Sequence, residues 1–182
     1  MPFNASRLRI PDVILVKPKT FEDSRGEFLE TFSKSEFAAL GINIDVLQSN
    51  ESRSAKGVIR GLHYQIRPHA QGKLVQVIKG SIFDVAVDIR RNSNTYGQHV
   101  SVFLSDLDHN ILWIPPGFAH GFQSLEDGTI VEYKVTEEYH PESERGIVWN
   151  DSSVGIRWPI AETRLSPKDS IFPTLEGAEN NF

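Results

Sequence analysis

A histidine and a lysine in neighbouring strand-like runs are the first residues of this sequence whose types and spacing suggest chemistry. His63 lies in GVIRGLHYQ, residues 57–65, and Lys73 begins the next run, KLVQVIKG. Imidazole ionises near neutral pH, so His63 can act as a base, hold a metal ion or simply pack in the core. A lysine in the interior of a protein is rare, because burying an unpaired charge is costly. We therefore expect a functional site to include both side chains.

The spacing of these residues resembles the two metal-binding motifs of the cupin jelly rolls. The first motif is G-x5-H-x-H, followed by a glutamate seven places before a glycine. Gly57, His63 and Lys73 fall on that pattern, with Gly80 at its end. The second motif, P-x-G-x-x-H, reads PPGFAH and ends at His120. In the register of a cupin, the two histidines and the lysine face one cavity.

The metal ligands of that pattern are only half present. Gln65 stands in place of the second histidine, Lys73 stands in place of the glutamate, and the gap between them is longer than the pattern allows. A divalent ion favours neutral imidazole and carboxylate donors, whereas an ammonium group has no free lone pair and is repelled by the ion. We therefore predict a site without a metal or another cofactor, built on two imidazoles and a cation.

Length and composition limit the classes of protein to which the chain can belong. Its 182 residues fit one domain, residues 1–182, with enough apolar surface for a single core. The sequence has no cysteine, which excludes disulfides, thiolate nucleophiles and cysteine-ligated metals. The net charge of −5 gives no basic footprint for nucleic acid, and no run approaches the length of an apolar membrane span. We expect a cytoplasmic protein that binds neither nucleic acid nor membrane, in which local arginines can still hold an anionic substrate.

Strand patterns dominate the chain. Short runs rich in Val, Ile and aromatic residues, separated by Gly, Asn, Asp or Pro, predict β-strands in VILVKP, VLQSN, KLVQVIKG, SIFDVAVDIR, HVSVFLS, NILWIPP, TIVEYKV and GIVWND. One helix is predicted from Ser33 to Leu40, with Ser33 as N-cap, Glu36 completing a capping box and Gly41 closing the end. The polar segment from about Ser170 onward is expected to wrap the surface. Together these features predict an all-β cupin jelly roll, a double-stranded β-helix, with short peripheral helices.

Longer motifs, which together run from about Phe21 to Asp169, resemble one protein family more closely than the cupin pattern does. The segments are FEDSRGEFLETF, QSNESRSAKGVIRGLHYQ, QGKLVQVIKGSIFDVAVDIRRNSNTYG, WIPPGFAHGF, and YHPESERGIVWND followed by GIRWP. They resemble the dTDP-4-dehydrorhamnose 3,5-epimerases. This resemblance implies conversion of dTDP-4-dehydro-6-deoxy-glucose to dTDP-4-dehydro-rhamnose. A C4 ketone acidifies the hydrogens on C3 and C5, so the reaction needs a base, an acid on the opposite side and a group that stabilises the enolate oxygen.

The resemblance assigns catalytic roles to four residues. It implies that His63 is the base, that Asp169 in LSPKD hydrogen-bonds this imidazole and raises its basicity, and that Tyr133 is the acid. Lys73 then replaces the cupin metal, because a fixed ammonium beside the C4 oxygen stabilises an enolate. Without the resemblance, the alternation of Tyr133 with its Val neighbours in TIVEYKV favours an aromatic residue of the core. For Asp169 alone, a residue of an exposed turn and a residue of the site are equally consistent with the sequence.

The resemblance also implies which side chains bind the nucleotide sugar. The cations for the phosphates are Arg25, Arg60 and Lys168. The polar residues for the nucleotide and sugar are Gln48, Ser49, Asn50, Glu30 and Glu144. Tyr139 provides an aromatic ring for the thymine, and His120 lines the sugar pocket. Members of the family are typically homodimers in which an N-terminal segment joins the sheet of the neighbour. The stretch from Arg25 to Phe28 is therefore expected to act across the interface.

Other functions remain open at the level of the sequence. Related cupins invert C3 only, or isomerise the ketone between C3 and C4, and enzymes that epimerise C3 alone can keep the same acid and base. A metal-dependent cupin oxygenase conflicts with Gln65 and Lys73. A sugar-binding cupin without catalysis has no reason to keep a base and an acid together. His63, Lys73 and Tyr133 therefore favour the double epimerase.

Overall fold

The computed structural model describes residues 2–182, so Met1 of the predicted domain lies outside the described residues. The strands in chain order are β1 Phe3–Arg7, β2 Ile14–Pro18, β3 Thr20–Asp23, β4 Gly26–Leu29, β5 Gln48–Ser54, β6 Ile59–Gln65, β7 Lys73–Lys79, β8 Ser81–Asp88, β9 His99–Ser105, β10 Ile111–Ile114, β11 Phe118–Ser124, β12 Thr129–Val135 and β13 Glu144–Gly146. The helix α1 spans Lys34–Ala39, and a short 3-10 helix, Pro141–Ser143, precedes β13.

Two antiparallel sheets face each other and enclose the core. The six-stranded sheet has the order β1-β2-β10-β7-β12-β5, and the five-stranded sheet has the order β13-β6-β11-β8-β9. From β9 to β13 each successive strand crosses to the opposite sheet, which is the connectivity of a jelly roll. Between the sheets, Val75, Leu112 and Val131 pack with Ala86 and Phe122 in one hydrophobic cluster. The predicted all-β cupin jelly roll is confirmed.

Most of the predicted strand runs form strands over much of their length, but GIVWND does not. Only its first residue, Gly146, belongs to a strand, β13. Ile147 still pairs with Leu62 through two backbone hydrogen bonds, of 2.9 and 3.2 Å, and Val148 then donates to Pro173 instead of continuing the ladder. The prediction was therefore wrong beyond Gly146. The sequence patterns also missed β1, β11 and the separate hairpin formed by β3 and β4.

The predicted helix forms, but its predicted capping box does not. Ser33 occupies the N-cap position with an extended backbone, and its side chain makes no capping hydrogen bond. Packing holds the helix instead: Phe37 is fully buried, and its ring lies 5.0 Å from the ring of Phe3. Gly41, at φ +84°, follows the last turn as predicted. No helix within residues 2–182 is both long and apolar enough to cross a bilayer.

The C-terminal segment wraps the outer face of the five-stranded sheet, as expected from its composition. Leu175 and Ala178 are buried there against Val85 and Val87. Asp169, which directly precedes this segment and is 4% exposed, bonds His63 of β6. Burial of these few apolar anchors therefore fixes a polar stretch that has no strand of its own.

Two glycines bring β6 and β11 close together next to the site. A Cβ atom on Gly61, at φ +134°, would lie 2.5 Å from the Cα of Gly121, and one on Gly121 would lie 2.8 Å from the carbonyl oxygen of Arg60. Only glycine fits at this approach. The register between the strands shifts at the same point and places His63 directly opposite His120.

Candidate active site

Two adjoining cavities open between the sheets and share three side chains. The first, of about 240 Å³, is lined by Gln48, Asn50, His63, Tyr64, Gln65, Gln71, Lys73, Tyr133, Tyr139 and Glu144. The second, of about 220 Å³, is lined by Ser52, Arg60, His63, Lys73, His120, Phe122, Tyr133, Ser166, Lys168 and Asp169. The shared residues are His63, Lys73 and Tyr133. A ligand that spans both cavities therefore has to pass these three groups.

Strand pairing explains why the three shared groups surround one space. His63 lies on β6 of the five-stranded sheet, beside His120 of β11. Lys73 and Tyr133 lie on β7 and β12, which are neighbours in the opposite sheet. Tyr133 pairs with Asn50 of β5, so the two side chains share the face that looks into the cavity. The imidazole and the phenol consequently come from opposite walls.

His63 is oriented by a carboxylate. Its Nε2 lies 2.7 Å from Oδ1 of Asp169, whose side chain is 6% exposed. Burial alone would raise the pKa of Asp169, but the hydrogen bond and charge of His63, together with Ser166, hold it below its usual value. An ionised Asp169 accepts the Nε2 proton of His63, which leaves the lone pair on Nδ1 free to take a proton.

Lys73 is a buried cation. Burial lowers its pKa from 10.5 to about 8, while the negative charges of Glu144 and Asp84 oppose this shift. Because the pKa remains above 7, the ammonium form dominates at neutral pH. A fixed positive charge therefore faces the space between the imidazole and the phenol.

Tyr133 is partly buried against the core cluster between the sheets. Burial raises the pKa of its hydroxyl above the usual 10.0, Arg60 opposes this shift, and Glu144 adds to it. The phenol is consequently protonated near neutral pH and able to donate a proton. Tyr133 therefore combines the core position favoured by strand alternation with the cavity position implied by the resemblance.

His120 forms a second imidazole–carboxylate pair. Its Nε2 lies 2.9 Å from Oδ2 of Asp84, and the Asp84 side chain is fully buried. The predicted position of His120 in the cavity agrees with the structure. The sequence reasoning missed Asp84, although an acidic residue inside the apolar run IFDVAVDI is a signal for a buried partner.

A tyrosine, a carboxylate and a lysine form a hydrogen-bonded group at the first cavity. The Tyr139 hydroxyl donates to Oε2 of Glu144, which also accepts from the Lys168 ammonium. Burial alone would raise the pKa of Glu144, but these two donors hold it below its usual value. Tyr139 is 49% exposed and lines the first cavity, so its ring is accessible to a planar ligand.

Most of the other predicted ligands also lie at the cavities. Arg60 is held by hydrogen bonds to the Ser54 hydroxyl (3.0 Å) and the Arg53 carbonyl (3.2 Å). Gln48 and Asn50 point into the first cavity, whereas Ser49 lies on the opposite face of β5. Because side chains alternate along a strand, Ser49 donates instead to Glu132, at 3.0 Å. Within residues 2–182 its side chain lines neither cavity.

The N-terminal candidates lie away from the cavities of their own chain. Arg25 is 88% exposed and pairs with Asp23 in the turn between β3 and β4. Phe28 is 71% exposed on the same hairpin, and Glu30 follows it on the surface. The structure therefore does not bring these three residues to the site within one chain.

Several cavity residues were not identified from the sequence. These are Ser52, Tyr64, Gln71, Phe122 and Ser166. Alternation along β5 from Gln48 and Asn50 would have identified Ser52, and Ser166 lies three residues before Asp169 in the same motif. Gln65, interpreted only as a lost metal ligand, also lines the first cavity and is 3% exposed.

Within residues 2–182, one group of side chains brings three potential metal-ligand atoms within 4.8 Å of one another. It consists of His69, His140 and Glu142. The two imidazole rings are stacked, with centroids 3.5 Å apart and planes 14° from parallel. A metal lies in the plane of each imidazole that binds it, so parallel stacked rings do not direct their lone pairs at one point.

The chain is similar to epimerases of dTDP sugars. A family model described as dTDP-4-dehydrorhamnose 3,5-epimerase matches residues 7–177. The dTDP-4-dehydrorhamnose 3,5-epimerase of Pseudomonas aeruginosa is 52% identical over 167 residues, which are 91% of this chain and 92% of that protein. The crystal structure of the Sulfolobus tokodaii dTDP-4-dehydrorhamnose 3,5-epimerase has a TM-score of 0.93 and 50% identity, with 100% of both chains covered.

Two structures with ligands bear on the type of reaction. A dTDP-6-deoxy-D-glucose-3,5-epimerase from Legionella pneumophila, in complex with dTDP-4-keto-L-rhamnose, has a TM-score of 0.92 and 46% identity, covering 96% of this chain and 93% of that one. A 3'-monoepimerase from Streptomyces bikiniensis, in complex with dTDP-quinovose, has a TM-score of 0.88 and 31% identity, covering 93% and 87%. The chain is thus more similar to the double epimerase than to the monoepimerase.

The environment of Lys73 leads to a prediction about its titration. The Lys73 ammonium is expected to titrate at about 8, and Glu144→Gln is expected to lower this pKa further, because the lost negative charge favoured the charged form. Glu142→Gln, an exposed carboxylate two residues away, is the matched control and should leave the Lys73 pKa unchanged. Heteronuclear NMR of the lysine side chains, with the Lys73 signal assigned from Lys73→Arg, provides the measurement. A Lys73 signal that titrates near 10.5 in the wild type would show that the side chain is solvated.

Proposed function

The chain belongs to the dTDP-4-dehydrorhamnose 3,5-epimerase family, and on this premise we propose that it inverts C3 and C5 of dTDP-4-dehydro-6-deoxy-D-glucose to give dTDP-4-dehydro-L-rhamnose. One observation carries the proposal: the His63 imidazole and the Tyr133 phenol lie on opposite walls of a cavity that also holds the buried Lys73. Inversion of a carbon beside a ketone requires this arrangement, since the proton leaves one face and another returns to the other face.

Each residue at the junction of the cavities has one task in this mechanism. His63 removes the proton from C3 or C5, and the electron pair moves into the C4 carbonyl to form an enolate. The Lys73 ammonium stabilises the negative charge on that oxygen. Tyr133 then gives its proton to the opposite face of the carbon, and His63 and Tyr133 exchange protons with solvent before the second centre reacts. Asp169 holds the His63 tautomer and stabilises the imidazolium that forms.

Other side chains of the two cavities bind the nucleotide sugar in this proposal. The ring of Tyr139 stacks on the thymine, while Gln48, Asn50 and Glu144 provide polar contacts at the first cavity. Arg60 and Lys168 supply positive charge for the diphosphate at the second cavity, where His120 lines the sugar pocket. Lys73 and Gln65 do not form the donor set of a metal, because one is a cation and the amide of the other is engaged by backbone groups.

We further propose a homodimer with exchange of the N-terminal segment. Within the described residues 2–182 the β3–β4 hairpin forms no ladder with either sheet of its own chain, and Phe21 and Phe28 on it are 49% and 71% exposed. Docking this hairpin on the cavity of a second copy would bury both rings and bring Arg25 and Glu30 to the phosphates and sugar. The proposal includes a single domain over residues 1–182 and a cytoplasmic location, as expected for an enzyme that acts on a nucleotide sugar.

Solvent deuterium tests the proposed reaction. In D₂O the wild-type enzyme is expected to introduce deuterium at both C3 and C5 of dTDP-4-dehydro-6-deoxy-D-glucose, as read by proton NMR. His63→Ala should bind dTDP normally and lose exchange at both carbons, because the base is absent. Deuterium at C3 alone would identify a C3 epimerase instead. An unchanged rate in His63→Ala would exclude this residue as the base.

Mixed dimers test the exchange of the hairpin. Arg25→Ala and His63→Ala are each expected to be nearly inactive, whereas co-expression of the two should restore activity in heterodimers. In these dimers one of the two sites receives both an intact His63 and an intact Arg25 from different subunits. Two differently tagged chains allow the heterodimer to be purified and assayed. If the purified heterodimer were as inactive as either parent, Arg25 would not act across the interface.

A further inference from the structure

The segment that carries Tyr139 has no regular secondary structure to hold its backbone. It runs from the end of β12 at Val135 to the 3-10 helix that begins at Pro141. Backbone amide and carbonyl groups in such a segment need partners from outside it. At residues 137–140 these partners include the side-chain amides of three glutamines, Gln48, Gln65 and Gln71, all of which line the first cavity.

Two of the glutamines donate to the carbonyls of the segment. Gln71 donates its Nε2 hydrogens to the Glu137 carbonyl at 2.7 Å and to the Glu138 carbonyl at 3.2 Å. Gln65 donates to the Glu138 carbonyl at 3.1 Å and to the His69 carbonyl at 2.7 Å. These bonds tie the segment to the loop between β6 and β7.

Two of the glutamines accept from the next amides. The Tyr139 amide donates to Oε1 of Gln48 at 3.0 Å, and the His140 amide donates to Oε1 of Gln65 at 2.7 Å. Gln48 also uses its Nε2 on Asn50, at 2.7 Å. Four consecutive residues, 137–140, are thus fixed through their backbones by side chains from β5, β6 and the loop before β7.

We propose that these three residues, the glutamine clamp, are positioning residues that hold the Tyr139 ring in place to receive the nucleobase. This inference rests on the proposed function, in which Tyr139 stacks on thymine. Within the segment, the clamp bonds only backbone atoms, so the Tyr139 ring stays free for the ligand. A preformed aromatic surface binds more tightly because less conformational freedom is lost when the ligand arrives.

The position of Gln65 in the cupin pattern shows what replaces a metal ligand in this chain. It occupies the position of a metal-ligating histidine, and its amide is 3% exposed with three backbone partners. Glutamine suits this position because one planar group both accepts and donates. The side chain that would have held a metal in a cupin therefore holds the nucleotide-binding segment here.

Isothermal titration with dTDP tests the clamp. Gln65→Met and Gln71→Met keep the side-chain volume and remove the hydrogen bonds, and each is expected to weaken dTDP binding by about tenfold. The kcat at saturating substrate should stay within about twofold of the wild type, because the clamp does not touch the reacting atoms. Gln123→Met is the matched control: Gln123 is fully buried and also bridges backbone groups, at Ile160, but lines neither cavity. It should lower stability without weakening dTDP binding.

A double-variant cycle separates positioning from a general structural defect. Tyr139→Ala removes the ring, so Gln65→Met added to Tyr139→Ala should cost little further affinity. Additive losses, unchanged dTDP binding in both methionine variants, or a large fall in kcat would overturn the proposal. Should Gln65→Met fail to fold, Gln71→Met, which is less buried, carries the same test.

Amide hydrogen exchange distinguishes failure of the clamp from failure of the proposed function. The His140 amide is expected to be protected in the ligand-free wild type and to exchange faster in Gln65→Met, whereas Gln123→Met should leave it protected. Equal protection in Gln65→Met would overturn the clamp whatever the enzyme catalyses. If this protection is lost as expected but the wild type leaves C3 and C5 undeuterated, the proposed reaction fails and the clamp stands.

Discussion

The Lys73 ammonium lies between the two sheets, and the cost of keeping a cation there constrains the groups around it. Burial lowers its pKa to about 8, and the negative charges of Glu144 and Asp84 oppose this shift. Both carboxylates already have hydrogen-bond partners, since Lys168 bonds Glu144 and His120 bonds Asp84. The negative charges of Glu144 and Asp84 therefore favour the charged form of Lys73, and the ammonium is available to bind an oxygen of the substrate.

Besides a buried cation, the proposed reaction requires access to both faces of one carbon, and the jelly roll provides this access. His63 belongs to the five-stranded sheet and Tyr133 to the six-stranded sheet, so the gap between the sheets separates the two groups. Each is fixed by its own surroundings: His63 by Asp169 from the C-terminal segment, and Tyr133 by core packing. Packing that stabilises the fold thus also positions the groups that move protons.

Local patterns in the sequence predicted the class of fold and the centre of the site. Alternating apolar residues indicated most strands, and the spacing of His63, Lys73 and His120 indicated one shared cavity. The Asp169 partner of His63 came only from the family resemblance. Local patterns did not predict the other distant partners, because tertiary packing brings Asp84 to His120 and the glutamines to the Tyr139 segment. The capping box at Ser33 failed for a related reason, since burial of Phe37 holds the helix without it.

The central claim is that base and acid act from opposite walls, and Tyr133→Phe tests it most directly. In D₂O this variant should still exchange the substrate hydrogens that His63 removes, because the base is intact and returns a deuteron to the same face. Inversion should fall by at least about 10²-fold, because the opposite face has lost its proton donor. Proton NMR of the sugar reads exchange and configuration together. Inversion at the wild-type rate in Tyr133→Phe would contradict the account.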